Sequence, residues 1–318
     1  MSGRPDRRRY AGVEAGGTKF VCAVGSGPGD LRAVTEIPTR DPESTLGEVI
    51  RFFRSCRDAG QSFDALGLGS FGPLELNRDA AGYGSITTTP KPGWQNVELV
   101  DRFAGALGIP VALQTDVNAA AAGEATWGAA RGLDHFLYVT LGTGVGVGAV
   151  VGGQILHGVH HPEMGHVPLP VSPDEPEGFV PVCPFHCACA EGLASGAAIL
   201  ARWGRRLDEL PEEHPAWRLE AGYLADFLAG LTLTLQPQRI IVGGGVASEA
   251  LLTLVRDRTY NRLAGYRADL AQRGSMASFL VLPRLGQRAG VVGAIELARR
   301  EVNRGQAAAG TRDAATSA

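Results

Sequence analysis

The chain has 318 residues, 44% hydrophobic and 20% charged, with a net charge of −3 and an isoelectric point near 6.2. This composition predicts a soluble globular protein long enough for two domains or one large one. It excludes the basic field that nucleic acid or an anionic membrane surface would require, and no apolar stretch approaches the length of a membrane span.

Residues 1–8 carry charge with no apolar run behind them, so they do not form a signal peptide. Together with the small, polar tail 302–318 they read as disordered. Between these ends strands and helices alternate. Residues 9–14 and 19–24 form a predicted hairpin around Ala15-Gly16-Gly17-Thr18. A helix follows over 42–59, capped by Asp41, with Leu46, Val49, Ile50 and Phe53 on one face. Residues 65–70 are a short buried strand broken at Gly72-Pro73, and a polar loop carries Thr87 to Trp94. A helix over 97–107 precedes a strand at 110–114, which runs into Thr115-Asp116-Val117-Asn118 and an Ala-rich helix ending at Trp127. Strands are predicted at 136–141, 145–151 and 154–156, then helices over 192–207 and 216–235. A buried strand at 239–242, a helix over 247–263, a strand at 279–282 and a helix over 290–300 complete the pattern. Hairpins followed by alternating helices and strands, early and again in the middle, suggest a duplicated α/β unit. The first lobe is placed at 9–113, completed by the C-terminal helix 287–301, and the second at 114–286 with a metal-binding loop at 157–191.

That loop, from His157 to Glu191, concentrates histidine and cysteine. Cys183-x-x-His186-x-x-Cys189 offers three ligands at tetrahedral zinc spacing, and His166 is the best candidate for a fourth. The competing readings are a disulfide or free thiols, and Cys187 could replace His186. An odd total of five cysteines, three of them clustered, fits a reducing compartment and a metal better than a disulfide framework. His157, His160 and His161 read as solvated or loop-packing, Cys22 and Cys56 as core, and Trp94 as either pocket lining or packing.

Three glycine loops sit at strand ends: Gly16-Gly17-Thr18-Lys19, Gly142-Thr143-Gly144 and Gly243-Gly244-Gly245. Successive glycines let backbone N–H groups converge on phosphate oxygens, and Thr18, Lys19 and Thr143 add donors. No GxxxxGK[ST] is present, and Gly144-x-Gly146-x-x-Ala149 lies between two strands with no helix behind it, which argues against a Rossmann site.

The glycine loops resemble the two phosphate motifs and the adenosine motif of the actin-like ATPase/hexokinase-type, ribonuclease H-like α/β fold, with two lobes around a nucleotide cleft. Together with EAGGTKF, SFGP, TTPKPGW, TDVNAAAAGE, HPEMGH, CPFHCAC and EGLASG, they resemble the ROK family of sugar kinases and repressors over roughly residues 10–300. The resemblance is to its zinc-containing bacterial fructokinase branch. It implies a cytoplasmic, homodimeric enzyme that uses ATP and Mg²⁺, carries structural Zn²⁺, and phosphorylates D-fructose to D-fructose 6-phosphate. The alternatives are a kinase for mannose, glucose or an N-acyl-hexosamine, or a sugar-sensing regulator without catalysis. The first glycine loop begins at Gly16, which leaves no room before it for the DNA-binding domain of the family's repressors. On the same resemblance Asp116 is the catalytic base, and Asn118, Glu163, His166 and Glu191 contact the sugar. Glu14 stands where the wider superfamily often has Asp near the nucleotide's metal, and Thr115 stands where many members have Asn. From the residues alone, Asp116 could equally cap the helix that follows it.

Overall fold

The computed structural model describes residues 8–316, with side chains described up to residue 307. The chain divides into two compact units. The first comprises residues 1–127, His157–His161 and 288–318, and the second residues 128–156 and 162–287.

In the first unit, β1 (Tyr10–Ala15), β2 (Lys19–Gly27) and β3 (Asp30–Pro38) form an antiparallel meander. After α1 (Pro42–Asp58) come β4 (Leu66–Ser70), α2 (Leu99–Leu107), β5 (Val111–Thr115) and α3 (Asp116–Trp127). The second unit repeats the scheme with β6 (Phe136–Leu141), β7 (Val145–Val151) and β8 (Gln154–Ile155). It continues through α4 (Ala190–Ala194), α5 (Gly196–Trp203), α6 (Pro215–Leu235), β9 (Arg239–Gly243), α7 (Glu249–Leu263), α8 (Met276–Phe279) and β10 (Leu280–Val281). The chain then returns to the first unit as α9 (Ala289–Thr316). The sheet orders β3-β2-β1-β4-β5 and β8-β7-β6-β9-β10 are the same path run twice, as the repeated pattern predicts.

Local chemistry explains the elements. Asp41 caps α1 by accepting from Ser44 N at 2.9 Å, Pro42 opens the helix, and Leu46, Val49, Ile50 and Phe53 are buried as their spacing predicts. β4 and β5 are parallel and buried, with Ser70 opposite Thr115, so both strands end side by side. Trp94 is fully buried against Phe20 and Phe71 and donates its indole N–H to Arg40 O at 2.9 Å, which makes it a packing residue. Cys22 and Cys56 are core residues, as predicted.

Three expectations require correction. Strand β3 was not foreseen, although Ala33, Thr35 and Ile37 alternate with exposed Arg32, Val34 and Glu36. The tail from Val302, expected to be disordered, continues α9 to Thr316; residues 1–7, the rest of that expectation, lie outside the described part. The first unit ends at Trp127 rather than near Leu113. Helix α3 belongs to it because Gly123 meets Gly293 of α9, and Ala119 and Ala122 share a buried seam with Leu297.

Glu220 on α6 is 1% exposed and neither carboxylate oxygen has a hydrogen-bond partner. Burial pushes its carboxyl well above the usual range, offset in part by Arg202. The folded chain therefore holds this proton to higher pH than the unfolded chain does, so the group costs stability as pH rises above the ordinary carboxylate range. Glu220→Gln should raise the melting temperature more at pH 8 than at pH 5 when both proteins are scanned by calorimetry. An offset that stays constant with pH would contradict this.

Candidate active site and metal centre

In the first unit, the parallel ends of β4 and β5 deliver the chain to Asp116. The capping role open to Asp116 is filled by its neighbour: Thr115 Oγ1 accepts from Asn118 N at 3.2 Å. Asp116 Oδ1 accepts from the adjacent Val117 N, at 2.8 Å. Burial pushes the Asp116 carboxyl up to about 6, so it is ionised at neutral pH yet a much better proton acceptor than an exposed aspartate. Asn118 is buried and donates to Gln114 Oε1 at 3.0 Å.

Glu14, near the end of β1, is raised to about 7, first by burial and then by the charge of Asp116; the Val291 N–H at the start of α9 works in the opposite direction. Its Oε2 is buried without a partner. Two carboxylates both raised by burial, one with an orphaned oxygen, suit a divalent cation directly or through water. Gly16 and Gly17 close the β1–β2 turn, Gly16 N donating to Lys19 O at 3.0 Å. Thr18 is exposed. Lys19, read as a phosphate donor, pairs with Glu36 at 2.6 Å across the β2–β3 edge with both side chains exposed.

In the second unit the 142–144 loop packs on the start of α5 and the 243–245 loop on the end of β6. Gly196 N donates to Gly142 O at 2.8 Å, and Val246 N donates to Leu141 O at 3.0 Å. Gly244 is left-handed (φ 93°), and a side chain there would collide with Leu141, so glycine is required. Glu191, on the first turn of α4, accepts from Val145 N at 3.2 Å, and a side chain at Gly144 would overlap its carboxylate. The turn Gly142-Thr143-Gly144 and Glu191 are therefore neighbours, which their separation in sequence does not reveal. Glu163 is exposed, and its carbonyl accepts from His166 N at 3.0 Å.

His166, Cys183, His186 and Cys189 converge, their ligand atoms all within 4.8 Å of one another. His166 Nδ1 lies 3.6 Å from Cys183 Sγ and 3.7 Å from Cys189 Sγ, and His186 Nδ1 lies 3.7 Å from Cys183 Sγ. Tetrahedral zinc with bonds of about 2.0–2.3 Å separates its ligand atoms by roughly 3.3–3.8 Å, so these edges fit. His186 N and Gly192 N donate to the Cys183 and Cys189 sulfurs at 3.4 and 3.3 Å. Cys187 stands outside the group, exposed and in a left-handed conformation (φ 49°).

The chain is similar to known proteins along most of its length. The sequence profile described as the ROK family matches residues 10–301. A fructokinase of Zymomonas mobilis is 41% identical over 303 residues, covering 94% of this chain and 99% of its own. Among solved structures, a ROK hexokinase from Thermus thermophilus superposes with a TM-score of 0.73 at 29% identity, covering 93% of this chain and 99% of its own. A ROK family glucokinase from Streptomyces griseus, in complex with glucose and AMPPNP, gives 0.72 at 26% identity over 92% and 99% of the two chains.

The metal cluster has a direct test. Elemental analysis of the purified chain should find about one zinc, retained in Cys187→Ser and lost in Cys189→Ser. Retention in Cys189→Ser with loss in Cys187→Ser would contradict the four-residue assignment.

Proposed function

We propose that this chain, which belongs to the ROK family, is an ATP-dependent fructokinase that converts D-fructose to D-fructose 6-phosphate. The observation that carries the chemistry is Asp116: a carboxylate at the junction of a buried parallel strand and a helix, relieved of capping by Thr115 and raised to about 6. Fructose as the acceptor is supported by 41% identity to a fructokinase over nearly the whole of both chains, against 26% to a glucokinase.

In the reaction Asp116 accepts the proton of the sugar 6-hydroxyl as that oxygen bonds to the γ-phosphorus and the bond to the β-phosphate oxygen breaks, leaving ADP and fructose 6-phosphate. Phosphoryl transfer asks for positioning and charge neutralisation more than covalent help, which suits a site with one base and several glycine turns. Gly16, Gly17, Thr18 and Lys19, with Gly142, Thr143 and Gly144, would hold the phosphates; Gly243, Gly244 and Gly245 would face the adenosine. Glu14 would hold Mg²⁺, which neutralises phosphate charge when bound with ATP. Asn118, Glu163, His166 and Glu191 would surround the sugar, where a carboxylate can accept from two vicinal hydroxyls. The four ligands His166, Cys183, His186 and Cys189 leave no open position, so Zn²⁺ would be structural, fixing the loop that carries Glu163 and Glu191.

Replacing the base tests this reading. Asp116→Asn should lower kcat by at least about a hundredfold while sugar binding survives, since the amide keeps the shape of the carboxyl. In the unmodified enzyme, kcat/KM should fall as pH drops through about 6, because a base must be deprotonated and this one is raised to that value. A near-normal kcat in Asp116→Asn, or a flat profile down to pH 5, would remove Asp116 from the mechanism.

A further inference from the structure

The histidine-rich stretch does more than supply a metal ligand. Its first five residues, His157–His161, belong to the first unit although the chain on either side belongs to the second. His161 is 7% exposed, and its Nε2 accepts from Leu74 N at 2.9 Å, which puts the ring proton on Nδ1. Leu74 ends the loop that leaves β4. That loop starts where Phe71 N donates to Ala15 O at 2.9 Å, one residue past Ser70, the partner of Thr115 in the β4–β5 register. Gly72, within the loop, lies against the imidazole: a Cβ there would sit 3.5 Å from its Cε1 and Nε2. Thr87 grips the loop at a second point, its N–H and its hydroxyl both donating to Pro73 O, at 2.7 and 3.1 Å. At the other end of the segment His157 Nε2 lies 3.4 Å from Gln114 Nε2, and Gln114 in turn holds Asn118.

We infer that His161 is a positioning residue that sets acceptor-sugar specificity by fixing the backbone of residues 71–74 beside Asp116. The inference rests on the hexokinase-type reading given above. Leu74 is 3% exposed, so removing the imidazole acceptor leaves a buried N–H unpaired and the loop must shift to satisfy it. A loop next to the base governs which hydroxyl pattern brings an acceptor oxygen within reach, and a site built to hydrogen-bond hydroxyls discriminates strongly between epimers. The chemical class it selects is a hexose in one ring form and stereochemistry, not the nucleotide.

The test uses the full-length protein with fructose, mannose and glucose as acceptors. His161→Leu should raise KM for the preferred hexose by about tenfold and shrink the kcat/KM ratio between the first and second hexose by a similar factor. KM for ATP and zinc content should stay within about twofold, since the His161–Leu74 bond involves no residue of the glycine loops or of the Cys/His cluster. His161→Gln, whose amide oxygen can accept from Leu74 N, should restore most of both. Thr87→Val should move the hexose ratio in the same direction through Pro73, and with His161→Gln it carries the test if His161→Leu does not fold. Unchanged hexose KM and ratio in His161→Leu, equal increases for ATP and hexose, or a glutamine variant as impaired as the leucine one would each overturn the inference. An unmodified chain that phosphorylates no hexose would overturn the proposed function, and this inference with it.

Discussion

The position of Asp116 depends on contact between backbones. At Gly67 on β4 a side chain would collide with the carbonyl of Ala294 on α9, and at Gly293 on α9 one would collide with the carbonyl of Ala119 on α3. Helix α9 can therefore lie directly on the sheet and on α3, and the seam is completed by small residues, Ala112, Ala119 and Ala122, against Leu297. This packing fixes α3, whose first residue is Asp116, against the ends of β4 and β5. It also brings the start of α9 to Glu14, whose carboxyl accepts from the Val291 N–H. The helix thus sets the two acidic groups relative to each other, and burial then raises both.

The second unit solves a different problem. The segment 167–190 between His166 and Glu191, rich in proline and acid, cannot bury enough apolar surface to hold itself. The cluster of His166, Cys183, His186 and Cys189 closes it at one place. A buried polar cluster closes it at another: Arg202 pairs with Glu175 at 2.5 Å, donates to Leu193 O at 2.8 Å and stacks 4.0 Å over Phe179, while Tyr223 donates to Glu175 at 2.5 Å. Arg202 is 1% exposed at its side chain, so this pair is shielded from water and salt in a way that surface pairs are not. Because Leu193 and Glu191 share α4, the same cluster steadies Glu191.

Features carried by local patterns could be read from sequence. The cap at Asp41, the strand-to-helix junction at Asp116 and the doubled hairpin follow from spacing or turn chemistry and recur in the structure, which also brings His166, Cys183, His186 and Cys189 together. What escaped is of two kinds. Strand β3 sits on a sheet edge with one face exposed, so its alternation is diluted by Arg32, Val34 and Glu36; the end of α9 has no apolar stripe, and its alanines signal helix only through intrinsic propensity. The others depend on long-range contact: His161 meets a residue 87 positions away, and Glu191 meets Val145 across 46. No local pattern encodes such partners.

The chain has the actin-like ATPase fold of the ROK hexokinases, and the reaction proposed for it transfers the γ-phosphoryl group of ATP to the 6-hydroxyl of fructose. The most direct measurement is ³¹P NMR of the products formed by the purified enzyme from ATP, Mg²⁺ and an equimolar mixture of fructose, mannose and glucose. Fructose 6-phosphate appearing first, in step with ADP, is the predicted result. ADP appearing without any sugar phosphate, or glucose 6-phosphate outpacing fructose 6-phosphate tenfold, would contradict it.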